Sequence, residues 1–200
     1  MAETARHHPR AELVSARHEP TVETVASEPC MSMETIALLI TRPDLGGAQS
    51  HCCELMKSLR DRYRFHLGTS TSGWLTERAA ELDIPVTLFR RMRVSVSPWN
   101  DLHTIVQVRR WLSRLRPGLL HVHSAKAALV GRLAAASVRV PAIYTVHGWA
   151  FTEGVSQVRR LQALSTEKAM SLLTAKIVTV SHYDQLLAIR NRLPRSSEIE

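Results

Sequence analysis

No apolar run in this 200-residue chain approaches the ~18 residues that a helix needs to cross a bilayer. The opening residues, Met1-Ala2-Glu3-Thr4-Ala5-Arg6-His7-His8, lack the apolar core of a secretory signal. Both absences lead to the expectation of a cytoplasmic protein. Cysteine is scarce: of the three, Cys52 and Cys53 stand side by side, which leaves no disulfide framework. Aromatic residues make up only 5%, and the arginines show neither a stacking platform nor a recognition motif for nucleic acid. What is present is 44% hydrophobic, the content of one generous globular domain or of a piece of a larger protein.

Charge is unevenly spread. Residues 1–33 hold three arginines against five glutamates, a net of −2, so the remainder carries +10 of the chain's +8 total. The first segment has no sustained hydrophobic period and is expected to be a disordered leader, with residues 34–200 as the folded domain. His7 and His8, inside that expected leader, could bind a metal but are a pair of the kind that seldom binds anything. A basic folded domain suits anionic partners: nucleic acid, nucleoside diphosphates or anionic lipid headgroups.

From Glu34 onward the pattern alternates. Strands are expected at 35–41, 64–69, 85–89, 119–123, 142–146 and 177–180. Helices are expected at 49–62, 72–82, from Asn100 or Asp101 to Arg116, at 124–137, at 156–174, and after a Ser181 cap with Asp184 three residues on. In the first helix, Cys52, Leu55, Met56 and Leu59 form the buried stripe, and Cys53 falls off it as a partly exposed thiol. The third helix is expected to bury Leu102, Ile105, Val108, Leu112 and Leu115.

Such alternation means an α/β fold with a parallel sheet covered on both faces, doubly wound and Rossmann-like, in the order 3-2-1-4-5-6. That order places the switch point between the first and fourth strands. Gly46-Gly47, His123-Ser124 and, one strand further, His147-Gly148 then meet along one crevice.

The glycine turn itself departs from two familiar patterns. Gly46-Gly47-Ala48-Gln49-Ser50-His51 lacks the spacing of a dinucleotide fingerprint, and Gly68-Thr69-Ser70 replaces the acidic residue that would hold a ribose. It also lacks the lysine and hydroxyl of a phosphate-binding NTPase loop. Among the histidines, His121 and His123 share a strand face and are either a metal pair or a core histidine followed by one that reaches the crevice. No third ligand stands at useful spacing. His147 ends a strand before a glycine, where side chains meet ligands.

Three motifs together carry a resemblance. They are Gly46-Gly47-Ala48-Gln49; His121-Val122-His123-Ser124-Ala125-Lys126-Ala127 with Gly131-Arg132-Leu133-Ala134-Ala135; and Tyr144-Thr145-Val146-His147-Gly148-Trp149-Ala150-Phe151. In that order they resemble the amino-terminal domain of glycosyltransferase family 4, over about residues 34–200. The resemblance implies one half of a GT-B fold, with two Rossmann-like domains facing across a cleft. It also implies retaining, metal-independent transfer from a nucleotide sugar, with no further cofactor, to a saccharide or lipid-linked saccharide in exopolysaccharide or related assembly.

By the same resemblance, Gly46 and Gly47 reach the donor diphosphate, and His147 contacts the transferring sugar as the catalytic residue. His123, Ser124, Lys126 and Gly148 line the acceptor side. Lys126 reads equally as a partner of an acceptor phosphate or as a solvated lysine. The donor half would lie beyond Glu200, so the isolated chain is expected not to turn over. The loop 90–99 and the third helix interleave Met92, Val94, Val96, Trp99 and Trp111 with arginines. That suits either the face of an anionic membrane or plain solvation of an amphipathic helix. A nucleotide-sugar epimerase on the same fold and a non-catalytic basic module, binding membrane or nucleic acid, are the competing readings.

Overall fold

The structure, a computed structural model, describes residues 33–193. The leader expected over 1–33 lies outside these residues except for Met33. Six parallel strands, β1 (Thr35–Leu39), β2 (Arg64–Thr69), β3 (Val86–Leu88), β4 (Leu119–Val122), β5 (Ala142–Val146) and β6 (Lys176–Thr179), form one sheet. Its order is β3-β2-β1-β4-β5-β6, as the alternation predicts. The connecting helices are α1 (Gly47–Leu59), α2 (Trp74–Glu81), α3 (Pro98–Leu115), α4 (Ala125–Ser137), α5 (Gln157–Ser171) and α6 (His182–Arg190).

Side chains alternate across β1, and the two faces lead to two cores. Leu38 and Ile40 pack with Cys52, Cys53, Met56, Leu67 and Leu75, under α1 and α2. Ala37 and Leu39 pack with Leu112, Leu120, Val122, Ala128 and Val130, under α3 and α4. Gly131 is what lets α4 lie so close to the sheet. A Cβ there would stand 2.9 Å from both Leu39 and Val122 side chains.

Several helix starts differ from the sequence pattern. α1 begins at Gly47, two residues earlier than expected, with Gly46 as its cap. At α2 the cap is Gly73 and not Ser72; the Thr76 hydroxyl accepts from Gly73 N–H at 2.9 Å and donates to its carbonyl at 2.7 Å. α3 begins at Pro98, behind Ser97. Proline is preset for a first helical position, where its missing N–H costs nothing.

Burial corrects three assignments. Cys53 is buried at 2% exposure, because Cys53 and Met56 lie three apart on a face that α2 covers. Leu102 is 55% exposed, while Asp101, Thr104, Val108, Trp111 and Leu112 form the inward face of α3. Trp111 and Met92, read with the basic loop as surface groups, are buried; Trp111 packs edge-on to Phe89 and His66. At α6 the expected cap is present: Asp184 N–H donates to the Ser181 hydroxyl at 3.1 Å.

Candidate functional site

The crevice is built at the carboxyl ends of β1, β4 and β5, where the sheet order reverses. Backbone pairing sets its geometry. His123 N–H donates to the Leu39 carbonyl at 3.0 Å, which carries β4's pairing with β1 to the rim. The Ser124 hydroxyl then takes the Thr41 N–H at 3.1 Å and lies 2.7 Å from the Thr41 hydroxyl. The loop after β1 and the start of α4 are thereby locked together.

At the glycine turn, the α1 ladder begins with Ser50 N–H to the Gly46 carbonyl at 2.9 Å. The N–H groups of Gly47, Ala48 and Gln49 precede that ladder and have no acceptor within it. No side chain caps Gly46, and the first turn carries no acidic residue. A Cβ at Gly47 would meet nothing within 4 Å. The fold therefore does not require glycine there; the space in front of it is open.

Four histidine rings gather beside this turn. His123 lies 4.1 Å from His121 and 5.8 Å from His147, centroid to centroid. His51, one turn into α1, stands 5.6 Å from His123 and 5.5 Å from His147. His121 is tied by Nε2 to the Thr145 hydroxyl at 2.8 Å. Burial, and then repulsion from His51 and His147, pushes its pKa down to about 4. His123 is held well below the usual imidazole range by burial, and then by His121, His147 and His51. His147, half-buried, is lowered by burial and His51, with Asp184 opposing. Near neutral pH these three rings are uncharged and act through single N–H groups and lone pairs. Among the described residues no group of His, Cys, Asp or Glu is disposed to hold a metal ion.

After His147 the chain turns at Gly148, whose φ of +135° favours glycine and which has open space around its Cβ direction. Trp149 anchors the turn: its indole N–H donates to the Asp184 carbonyl at 2.8 Å, and its ring stacks on Phe151 at 4.9 Å.

Two of the expected acceptor residues are buried. His123 is 1% exposed and sits behind His147, so it does not reach the crevice surface. Lys126 is not a solvated lysine: its ammonium donates to both Asp101 carboxylate oxygens, at 2.8 and 2.7 Å, in a buried pair. Ser124 lies at the rim, but its hydroxyl is engaged by Thr41. His51 was absent from the expected set. The signal for it was present, since it lies four residues after Gly47 and so one helical turn behind the same crevice wall.

Residues 46–199 match the model of the glycosyl transferase 4-like domain. The chain belongs to that family. It is 28% identical, over 80% of its length, to the O-antigen biosynthesis glycosyltransferase WbnH of Escherichia coli, and covers 45% of that protein. It is 25% identical to the Escherichia coli UDP-Gal:alpha-D-GlcNAc-diphosphoundecaprenol alpha-1,3-galactosyltransferase, covering 40% of it. The domain thus spans less than half the length of the curated relatives it matches.

Among solved structures, Anabaena HepE in complex with UDP and glucose superposes with a TM-score of 0.65 at 20% identity, over 84% of this chain and 43% of that one. UDP-N-acetylglucosamine 2-epimerase from Rickettsia bellii gives a TM-score of 0.60 at 14% identity, over 84% and 44%. These likenesses establish the fold and do not choose between transferase and epimerase. The matching family model is that of a glycosyl transferase 4-like domain, and these curated relatives are glycosyltransferases by name.

Proposed function

We propose that this domain is the acceptor side of a retaining, metal-independent glycosyltransferase that moves a sugar from a nucleotide-sugar donor to a lipid-linked saccharide in polysaccharide assembly. The observation that carries the proposal is the open helix start at Gly47, with His51 of the same helix 5.5 Å from the half-buried His147. Departure of a nucleoside diphosphate builds negative charge on the leaving phosphate. The free N–H groups at the start of α1 and the positive end of its dipole supply preorganised stabilisation there, without a metal or other cofactor. His147 contacts the transferring sugar, and Gly148 and the rim at Ser124 shape the acceptor side. Transfer in this reading needs a nucleotide-holding half opposite the crevice, so these 200 residues alone would not turn over.

The lipid part of the proposal rests on a second surface. Val94, Val96, Trp99 and Leu102 are exposed at 64%, 86%, 70% and 55%, beside the exposed Arg90, Arg91 and Arg93. A groove of about 270 Å³ along α3, lined by Trp99, Leu102, Val106 and Arg110 among others, continues this apolar surface. The Asp101–Lys126 pair fastens the start of α3 to the start of α4, which puts the apolar loop at the same end of the sheet as the crevice. Apolar and cationic groups so mixed suit the cytoplasmic face of an anionic bilayer. No described helix is long and apolar enough to cross a membrane, so the proposal is contact with the surface.

The test is a screen of nucleotide sugars against diphosphate-lipid-linked saccharides, using the transferase in which this domain works. Transfer with retained anomeric configuration in the presence of a chelator supports the reading. An inverted product, or epimerised nucleotide sugar without transfer, overturns it.

A further inference from the structure

A histidine that touches a sugar presents either an N–H or a lone pair, and the partner of its second nitrogen decides which. In this domain the second nitrogen has a partner. Nε2 of His147 lies 3.5 Å from Nδ1 of His123, a long contact of the kind that tightens when a ligand binds. The other nitrogen of His123, Nε2, is buried and has no partner among the described residues. Three further groups face the pair: His51 from α1, His121 on β4, held by Thr145, and Asp184 from α6, which accepts from Ser181 and Trp149.

With both rings neutral near pH 7, a hydrogen bond between the facing nitrogens holds one proton, and two arrangements satisfy it. If His123 carried its proton on Nε2, that N–H would be a buried donor with no acceptor. If it carries the proton on Nδ1, what is orphaned is a lone pair. Buried N–H groups without acceptors are the rarer of the two defects in folded proteins. That favours the second arrangement, in which Nδ1–H of His123 donates to Nε2 of His147. His147 must then keep its own proton on Nδ1. That atom has no partner among the described residues and is not among the buried unpartnered atoms, so it is open to a ligand.

We propose that His123 is a positioning residue: its buried Nδ1–H fixes His147 in the Nδ1–H form and aims a hydrogen-bond donor, not a base, into the crevice. This rests on the reading of His147 as the sugar contact. It assigns the ligand atom met by His147 as an acceptor, such as a sugar hydroxyl or ring oxygen. It also gives a role to a histidine that is buried.

Histidine-labelled nitrogen spectra of the 200-residue chain at mildly alkaline pH report the protonation of each ring nitrogen directly. The expected result is a protonated Nδ1 and a bare Nε2 on His147. In His123→Phe, which removes the donor, His147 should revert to the Nε2–H form that a free neutral imidazole prefers. His123→Asn, whose amide replaces the Nδ1–H donor, should restore the Nδ1–H form. In the complete transferase the Phe variant should lower kcat about 10- to 100-fold, the usual scale for losing the partner that orients a working imidazole, and the Asn variant should recover part of it. A His147 protonated on Nε2 in the wild-type chain overturns the proposal, whether or not the variants fold. So does a His147 form that His123→Phe leaves unchanged. Correct spectra without sugar transfer would instead retain the hydrogen bond and remove the transferase reading.

Discussion

Replacing Lys126 with methionine separates a ligand-binding lysine from a structural one. In the structure the ammonium sits 2.7 and 2.8 Å from the two oxygens of Asp101, and the side chains are 7% and 11% exposed. Methionine keeps the volume of the stem but strands a buried carboxylate. Among the described residues the one compensating contact is Ser97 N–H, which donates to the same carboxylate at 3.3 Å, too long to satisfy it alone. Breaking a buried pair in this way costs about 3–5 kcal/mol. For a domain of this size that corresponds to a fall in Tm of roughly 8–16 °C around a mid-range 4 kcal/mol. Removing both charges together, as in Asp101→Leu with Lys126→Met, should return stability to within about 1 kcal/mol of wild type or above it. Thermal and urea unfolding of the two single variants and the double variant measures this cycle. A Lys126→Met protein that loses less than about 1 kcal/mol while acceptor affinity collapses would refute the structural assignment and return Lys126 to the ligand.

Three further outcomes follow from the same geometry. Gly47→Val should leave the fold near wild-type stability, since its Cβ meets nothing; in the transferase it should raise the KM for the nucleotide sugar by blocking backbone approach to the diphosphate. Unchanged donor KM would remove the glycine turn from the donor site. Stability should fall as pH drops from about 6.5 toward 4. Over that interval the unfolded chain binds protons that buried His121, His123 and His147 refuse, His121 alone contributing on the order of 3 kcal/mol. Flat stability across that range in buffered urea titrations would contradict the neutral cluster. Finally, the domain should co-sediment with vesicles rich in anionic lipid and release at high salt, and Trp99→Ser with Arg91→Glu should abolish binding. Equal binding to neutral vesicles, or no loss in that variant, would remove the membrane face.

The sheet order was legible because each strand is a short apolar run between helical repeats, and parallel strands joined by helices leave few topologies. The convergence of Gly46-Gly47, His123-Ser124 and His147-Gly148 followed from that order alone. What periodicity did not convey is which face of a helix its polar residues choose. Asp101 turns inward because Lys126 meets it from α4, 25 residues later in the chain, and this rotates Leu102 out to solvent. Cys53 is covered because α2 returns over α1, a tertiary fact with no local mark. The burial of His123 went unmarked for a similar reason. The end of a strand predicts nearness to the crevice, but not that His51 and His147 close over the ring and bury it. His51 itself was hidden by the habit of reading α1 for its apolar stripe, when the crevice wall is the other side of its first turns.

The central claim is that the crevice between Gly46-Gly47 and His147 is where sugar transfer takes place. Turnover by the complete transferase carrying His147→Ala, at saturating nucleotide sugar and acceptor, tests it most directly. Loss of a preorganised hydrogen-bond donor at the reacting sugar predicts a fall in kcat of about 10²–10³. Because His147 is only half-buried, the unfolding temperature of the variant should stay near that of wild type. Turnover close to wild type from the same well-folded variant would place the chemistry elsewhere.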